Sequence, residues 1–92
     1  MSEITVTRPH SFPPDEAKRR VERVVDELRG KYPITAEWDG DSRMSFEAMG
    51  VSGNIEIRSD EIAVAVDKSF WVPISDDQLE GAINKALDKG LA

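Results

Sequence analysis

The sequence predicts an α+β protein: a two-layer sandwich in the order β-α-β-β-β-β-α, with a five-stranded antiparallel sheet carrying two helices on one face. Three observations lead there. Apolar residues recur every three or four positions in two stretches, near residues 14–32 and 75–90. Between those stretches the spacing drops to two. A short β-branched run, "ITVT" at 4–7, precedes the first helical stretch.

In "ITVT" apolar and polar residues alternate, and Pro9 then ends the strand by removing a ladder donor. Pro13 and Pro14 open the first helix, where a missing N–H costs nothing, and Asp15 and Glu16 suit the positive end of its dipole. Ala17, Val21, Val24, Val25, Leu28 and Tyr32 form its apolar stripe. Gly30 and Pro33 stop it. Four period-two runs follow. Their inward sets are Ile34, Ala36 and Trp38; Met44, Phe46 and Ala48; Val51, Gly53, Ile55 and Ile57; and Ile62, Val64 and Val66. The opposite face is mostly polar, with Thr35, Glu37, Arg43, Ser45, Glu47, Asn54, Glu56 and Arg58, so one face is buried and the other wet. "DGDS" and "SD" supply hairpin turns, and Gly50 and Gly53 mark a turn or a bulge. In the last helix Ser75 is the N-cap and Gln78 completes a capping box. Asp76 and Asp77 suit its first turn, and Ile74 with Leu79 forms a hydrophobic staple. Leu79, Ala82, Ile83, Ala86 and Leu87 make its stripe, and Gly90 is the expected stop.

The four later strands read as a meander. A helix separates the first strand from its successor, so the first strand pairs with the fifth, giving the order 1-5-4-3-2 with every neighbour antiparallel. This arrangement resembles a reduced helix-grip fold. Its core is expected to bring together Val21, Val25, Leu28, Trp38, Phe46, Ile55, Val64, Ile83 and Leu87.

Ninety-two residues make one small domain, 1–92. The chain is 39% hydrophobic and 33% charged, and no apolar run approaches the ~20 residues of a membrane span. Cysteine is absent, which removes disulfides, thiolate catalysis and Cys-based zinc sites. "MSEITVTR" lacks the basic and apolar regions of a secretory signal, so a cytoplasmic location is expected. The net charge of −6 repels nucleic acid unless one face is strongly basic. "KRRVER" is the one candidate, but residues 14–32 hold six basic and five acidic side chains. Asp15 with Arg19, Glu16 with Arg20, and Arg23 with Glu27 stand at i,i+4 spacing and pair along a helix face.

The only histidine, His10, sits in "TRPHSFPPDEAKRR" between a strand and a helix. A general base needs a positioned partner and a cleft, and the strand periods send the serines to turns or to the wet face. His10 therefore reads as a hinge residue, and no catalytic residue is assigned. No cofactor is assigned either. "DGDSRMSFE" lacks the ligand pattern of a calcium loop, and "GVSG" lacks the Lys-Ser/Thr ending of a phosphate loop, so no metal site is assigned. "SFWVPI" at 69–74 is the most apolar stretch at an element boundary. Strand parity turns Phe70 inward and Trp71 outward. Trp71 and Val72 thus stand as a contact surface for a partner, a second copy or an apolar polymer, unless the stretch lies under the second helix.

"TRPHSF" ending a strand, "AKRRVERVVDELRGKY" as a helix, "WDGD" at a hairpin, a Phe before "GVSG" and a closing "ALDKGLA" occur in this order. The ordered set resembles the polyhydroxyalkanoic acid system family, small bacterial proteins named for the granule-gene region. The resemblance rests on Arg8, His10, Trp38, Gly40, Asp41, Phe46, Gly50 and Gly53. Where the family continues after the fifth strand with a Leu-Gly pair and an aliphatic run, this chain has Lys68 and Ser69 and then "FWVPI". With no catalytic residue assigned and a small chain that spends its apolar residues on closing the core, the protein reads as a non-catalytic accessory or binding protein. The resemblance links it to polyhydroxyalkanoate storage granules or a granule-associated protein; a homodimer is left open. The alternative is a small-ligand or enzymatic module using a groove between the helices and the sheet.

Overall fold

The computed structural model describes residues 2–48, 50–69 and 72–91. They form β1 (Ser2–Pro9), α1 (Pro14–Arg29), β2 (Thr35–Trp38), β3 (Arg43–Ala48), β4 (Val51–Ile57), β5 (Glu61–Lys68) and α2 (Asp76–Gly90). The strands make one sheet in the order β1-β5-β4-β3-β2, and each neighbouring pair is antiparallel. β1 is twice the length of the "ITVT" run because its ladder with β5 extends from Ser2↔Lys68 to Pro9↔Glu61.

Register and the two-residue period together set the layers. One inward row crosses the sheet as Val6, Val64, Ile55, Met44 and Trp38, and the next as Ile4, Val66, Gly53, Phe46 and Ala36. The helices cover this face. α1 buries Ala17, Val21, Val24, Val25 and Leu28, and α2 buries Leu79, Ile83, Ala86 and Leu87. α1 packs on α2 and on β4, while α2 reaches over β1. The outward row Glu3, Asp67, Ser52, Glu47 and Thr35 faces water and is acidic.

The helix ends follow their local chemistry. At α2 the Ser75 hydroxyl accepts from the Gln78 N–H at 3.1 Å, and the Gln78 side-chain oxygen accepts from the Ser75 N–H at 3.1 Å. α1 begins without a side-chain cap: Pro13 holds the cap position and Pro14 follows it.

Four expectations are corrected. Gly90 is the last residue of α2, not the residue beyond it, and it is buried where α2 meets α1. Gly53 pairs in continuous register with Phe46 and Val66, so it makes no bulge. Trp38 faces inward as its parity requires but is half-buried, because β2 is the edge strand. Arg19 reaches Glu16 at 3.6 Å rather than Asp15, and Glu27 meets Lys89 of α2 at 3.7 Å rather than Arg23; the Glu16–Arg20 pair forms at 3.3 Å.

Candidate functional site

At one end of the sandwich the helices and sheet diverge. The last turn of α1, the loop through Tyr32 and Ile34, the β3–β4 hairpin and the first turns of α2 enclose an apolar groove of about 270 Å³. Its floor is Phe46 and Val66, and its walls include Leu28, Val51, Leu79 and Ile83. Among the described lining residues Tyr32 is the one with a polar side-chain atom.

Two cations hold the rims. Lys68 continues the inward parity of Val64 and Val66, so its stem enters the sandwich and its ammonium emerges beneath the chain leading into α2. There it donates to the Ile74 carbonyl oxygen and lies 2.9 Å from Asp76 Oδ1. On the other rim Arg29 donates from Nε to the Ile34 carbonyl at 3.5 Å and pairs with Asp26 at 3.0 Å. Both cations are partnered, so the rims present fixed backbone rather than unpaired charge. The Ser69 N–H donates to Gly50 O at 2.9 Å, one step beyond the Val51↔Lys68 pair, and the Val72 N–H donates to Ser69 O at 3.2 Å, which holds Val72 beside the end of β5.

Val72 is buried and lines the groove, so its own side chain is not an exposed contact. Phe70 and Trp71 lie outside the described residues.

His10 stands at the opposite end. Its Nδ1 accepts from the Phe12 N–H at 3.0 Å, so the ring proton is on Nε2, which donates to the Arg58 carbonyl at 2.7 Å. The His10 N–H donates to Asp60 O at 2.9 Å. The imidazole stacks on Phe12 with ring centres 5.6 Å apart, and the Arg20 guanidinium lies 4.8 Å from the centre of the Phe12 ring. Both nitrogens are thus engaged in joining β1, the start of α1 and the β4–β5 turn. A depression of about 260 Å³ brings His10 together with Asp41, Ser42, Arg58 and Ser59. Hydrogen bonds to Glu56 at 2.8 Å and Glu61 at 2.6 Å raise the pKa of Arg58, so its charge is permanent and already matched.

The remaining residues of the family pattern are dispersed. Arg8 joins β1 to α2 through Asp88 at 2.6 Å and the Asn84 side chain at 3.0 Å. Trp38 lies beneath α1, with the Lys18 ammonium 4.8 Å from its ring and its N–H 3.4 Å from Glu22. Phe46 covers Gly53, where a Cβ would stand 2.8 Å from the ring and 2.3 Å from Ala65 O. Gly40 and Gly50 hold positive φ, 90° and 78°, at the β2–β3 and β3–β4 turns, a conformation glycine adopts without strain. Of the pattern, only His10 and Asp41 share the depression; most of the others act as joints and turns. The groove residues Tyr32, Ile34 and Ala48 were legible only as stripe or strand positions, because nothing in their spacing says that the layers part there.

Fold and groove define a two-layer α+β protein with an apolar cleft between helices and sheet. The chain belongs to the polyhydroxyalkanoic acid system family: the family model described as "Putative polyhydroxyalkanoic acid system protein" matches residues 4–91. The fold is also similar to the crystal structure of TTHA0849 from Thermus thermophilus, with a TM-score of 0.60 at 14% identity, over 98% of this chain and 94% of that one. No curated protein matches the chain. Among the described residues no helix is long and apolar enough to cross a membrane.

Proposed function

We propose that this chain is a non-catalytic accessory protein that associates, in the cytoplasm, with polyhydroxyalkanoate storage granules. The contact is made by the apolar groove together with Trp71, the chain neighbour of the groove residue Val72. The observation that carries this reading is the lining of the groove: among the described residues its walls are aliphatic and Tyr32 alone brings a polar side-chain atom, which suits binding rather than chemistry. Membership of a family named for the polyester system supports an apolar polymer as the partner. His10 supports the non-catalytic part, since its nitrogens are both occupied by backbone groups.

The test is co-sedimentation with purified granules. The wild-type chain is expected in the granule pellet, and Trp71→Ala in the supernatant with its thermal unfolding changed by no more than ~1 kcal/mol, as for a surface substitution. A wild-type chain that stays in the supernatant at every granule concentration overturns the proposal.

A further inference from the structure

We infer that the groove is a binding site for one aliphatic chain of about six to nine carbons, carried by a free small molecule such as a medium-chain alkanoate. The inference rests on reading the groove as a binding surface, but not on granule contact.

The walls set the chemistry. Leu28, Ile34, Val51, Leu79 and Ile83 present methyl and methylene groups, and Tyr32 carries the one polar side-chain atom among the described lining residues. An ordered water needs two to four polar partners, so water is poorly held in such a space and a hydrocarbon displaces it without losing hydrogen bonds.

The volume sets the length. About 270 Å³ holds roughly nine groups of water size, at ~30 Å³ each. That matches an aliphatic chain of six to nine carbons and is too small for a fused-ring lipid.

The rims set the indifference to the head group. Arg29 and Lys68, the cations bonded to the carbonyls of lining residues, are already paired with Asp26 and Asp76. The head of the ligand therefore stays in water at the mouth, and selectivity is for chain length.

The experiment is a methyl NMR titration of the wild-type protein with hexanoate, octanoate, decanoate and dodecanoate, and with octanol. Methyl shifts are expected at Ile34, Ile74, Leu79 and Ile83, while Ile57 and Ile62 at the opposite end stay fixed. Affinity should rise about fourfold per added methylene up to roughly nine carbons and then level off. Octanol should bind within about threefold of octanoate. Ala48→Leu, which extends a lining side chain into the space, should weaken octanoate by about tenfold. If that variant does not fold, the wild-type shift map and length series decide alone. Shifts spread equally over Ile57 and Ile62, or affinity still climbing past twelve carbons, overturn the inference. Granule co-sedimentation is read in parallel. A chain that pellets with granules but shows no methyl shifts sinks this inference alone; methyl shifts without pelleting sink the granule proposal alone.

Discussion

Gly90 and Val24 are in such close contact that a Cβ on Gly90 would lie 2.4 Å from Val24 Cγ2, 2.9 Å from its backbone nitrogen and 3.1 Å from its Cα. Rotating the Val24 side chain relieves only the first of these. The backbone contacts mean that the two helices meet at a spacing only glycine permits.

Gly90→Ala should therefore destabilise the protein by up to about 2 kcal/mol in urea titration. Overpacking costs of ~1–3 kcal/mol oppose the ~1 kcal/mol that alanine contributes to a helix. Adding Val24→Ala should recover only part of the loss, because the backbone clash remains. A more stable Gly90→Ala variant would show that α2 can slide away from α1 freely.

Phe46→Ala should cost roughly 3–5 kcal/mol, a large share of the ~5–15 kcal/mol expected for such a fold. The ring is buried at 7% exposure and also covers the bare backbone at Gly53. A loss below ~1 kcal/mol in denaturant unfolding would contradict the described core.

His10→Gln should lower stability by ~1 kcal/mol, the net worth of a hydrogen bond or two at a half-exposed site, and leave octanoate and granule binding unchanged. Loss of either binding with an unchanged circular dichroism spectrum would instead assign His10 a role at a surface.

Lys68→Met keeps the aliphatic stem but removes the donor to Ile74 O and the partner of Asp76. A loss of ~1–2 kcal/mol is expected, at the lower end for charged hydrogen bonds because Asp76 is half-exposed and water replaces its partner. The local signature is amide exchange: the Val72 and Leu79 amides should exchange faster while Val24 keeps its protection. Unchanged exchange at Val72 would mean that Lys68 does not hold that rim.

Legibility in the sequence divides along physical lines. The switch from a period near 3.6 to a period of 2 located all the elements, and parity alone put Phe46, Ile55 and Val64 on the covered face. The pairing of β1 with β5 followed from excluding a β1–β2 hairpin across a helix. Trp38 marks one limit: parity gives direction, but depth depends on where a strand stands in the sheet, and β2 is at its edge. Gly90 marks another, since a helix-ending glycine and a glycine at a helix crossing have the same local pattern and differ only in what lies across from them. The groove is a third case. It arises where the ends of α1, α2 and two strands fail to meet, and no single stretch encodes that gap. Lys68 was visible as a departure from the family pattern, yet its target, the Ile74 carbonyl six residues on, appears only in the folded chain.

The ladder between β1 and β5 has a consequence for synthesis. Every backbone group that β1 contributes to the sheet waits for residues 61–68. At roughly 5–20 residues per second, the nascent chain carries β1 and the apolar stripe of α1 without their partners for about 3–12 seconds. The β2–β5 meander, built from neighbouring hairpins, can close as it emerges, whereas the first strand must be kept from pairing with anything else until the fifth arrives. During that interval the alternation of Thr5 and Thr7 with Ile4 and Val6, and the proline that closes the strand, limit what a stray edge could capture.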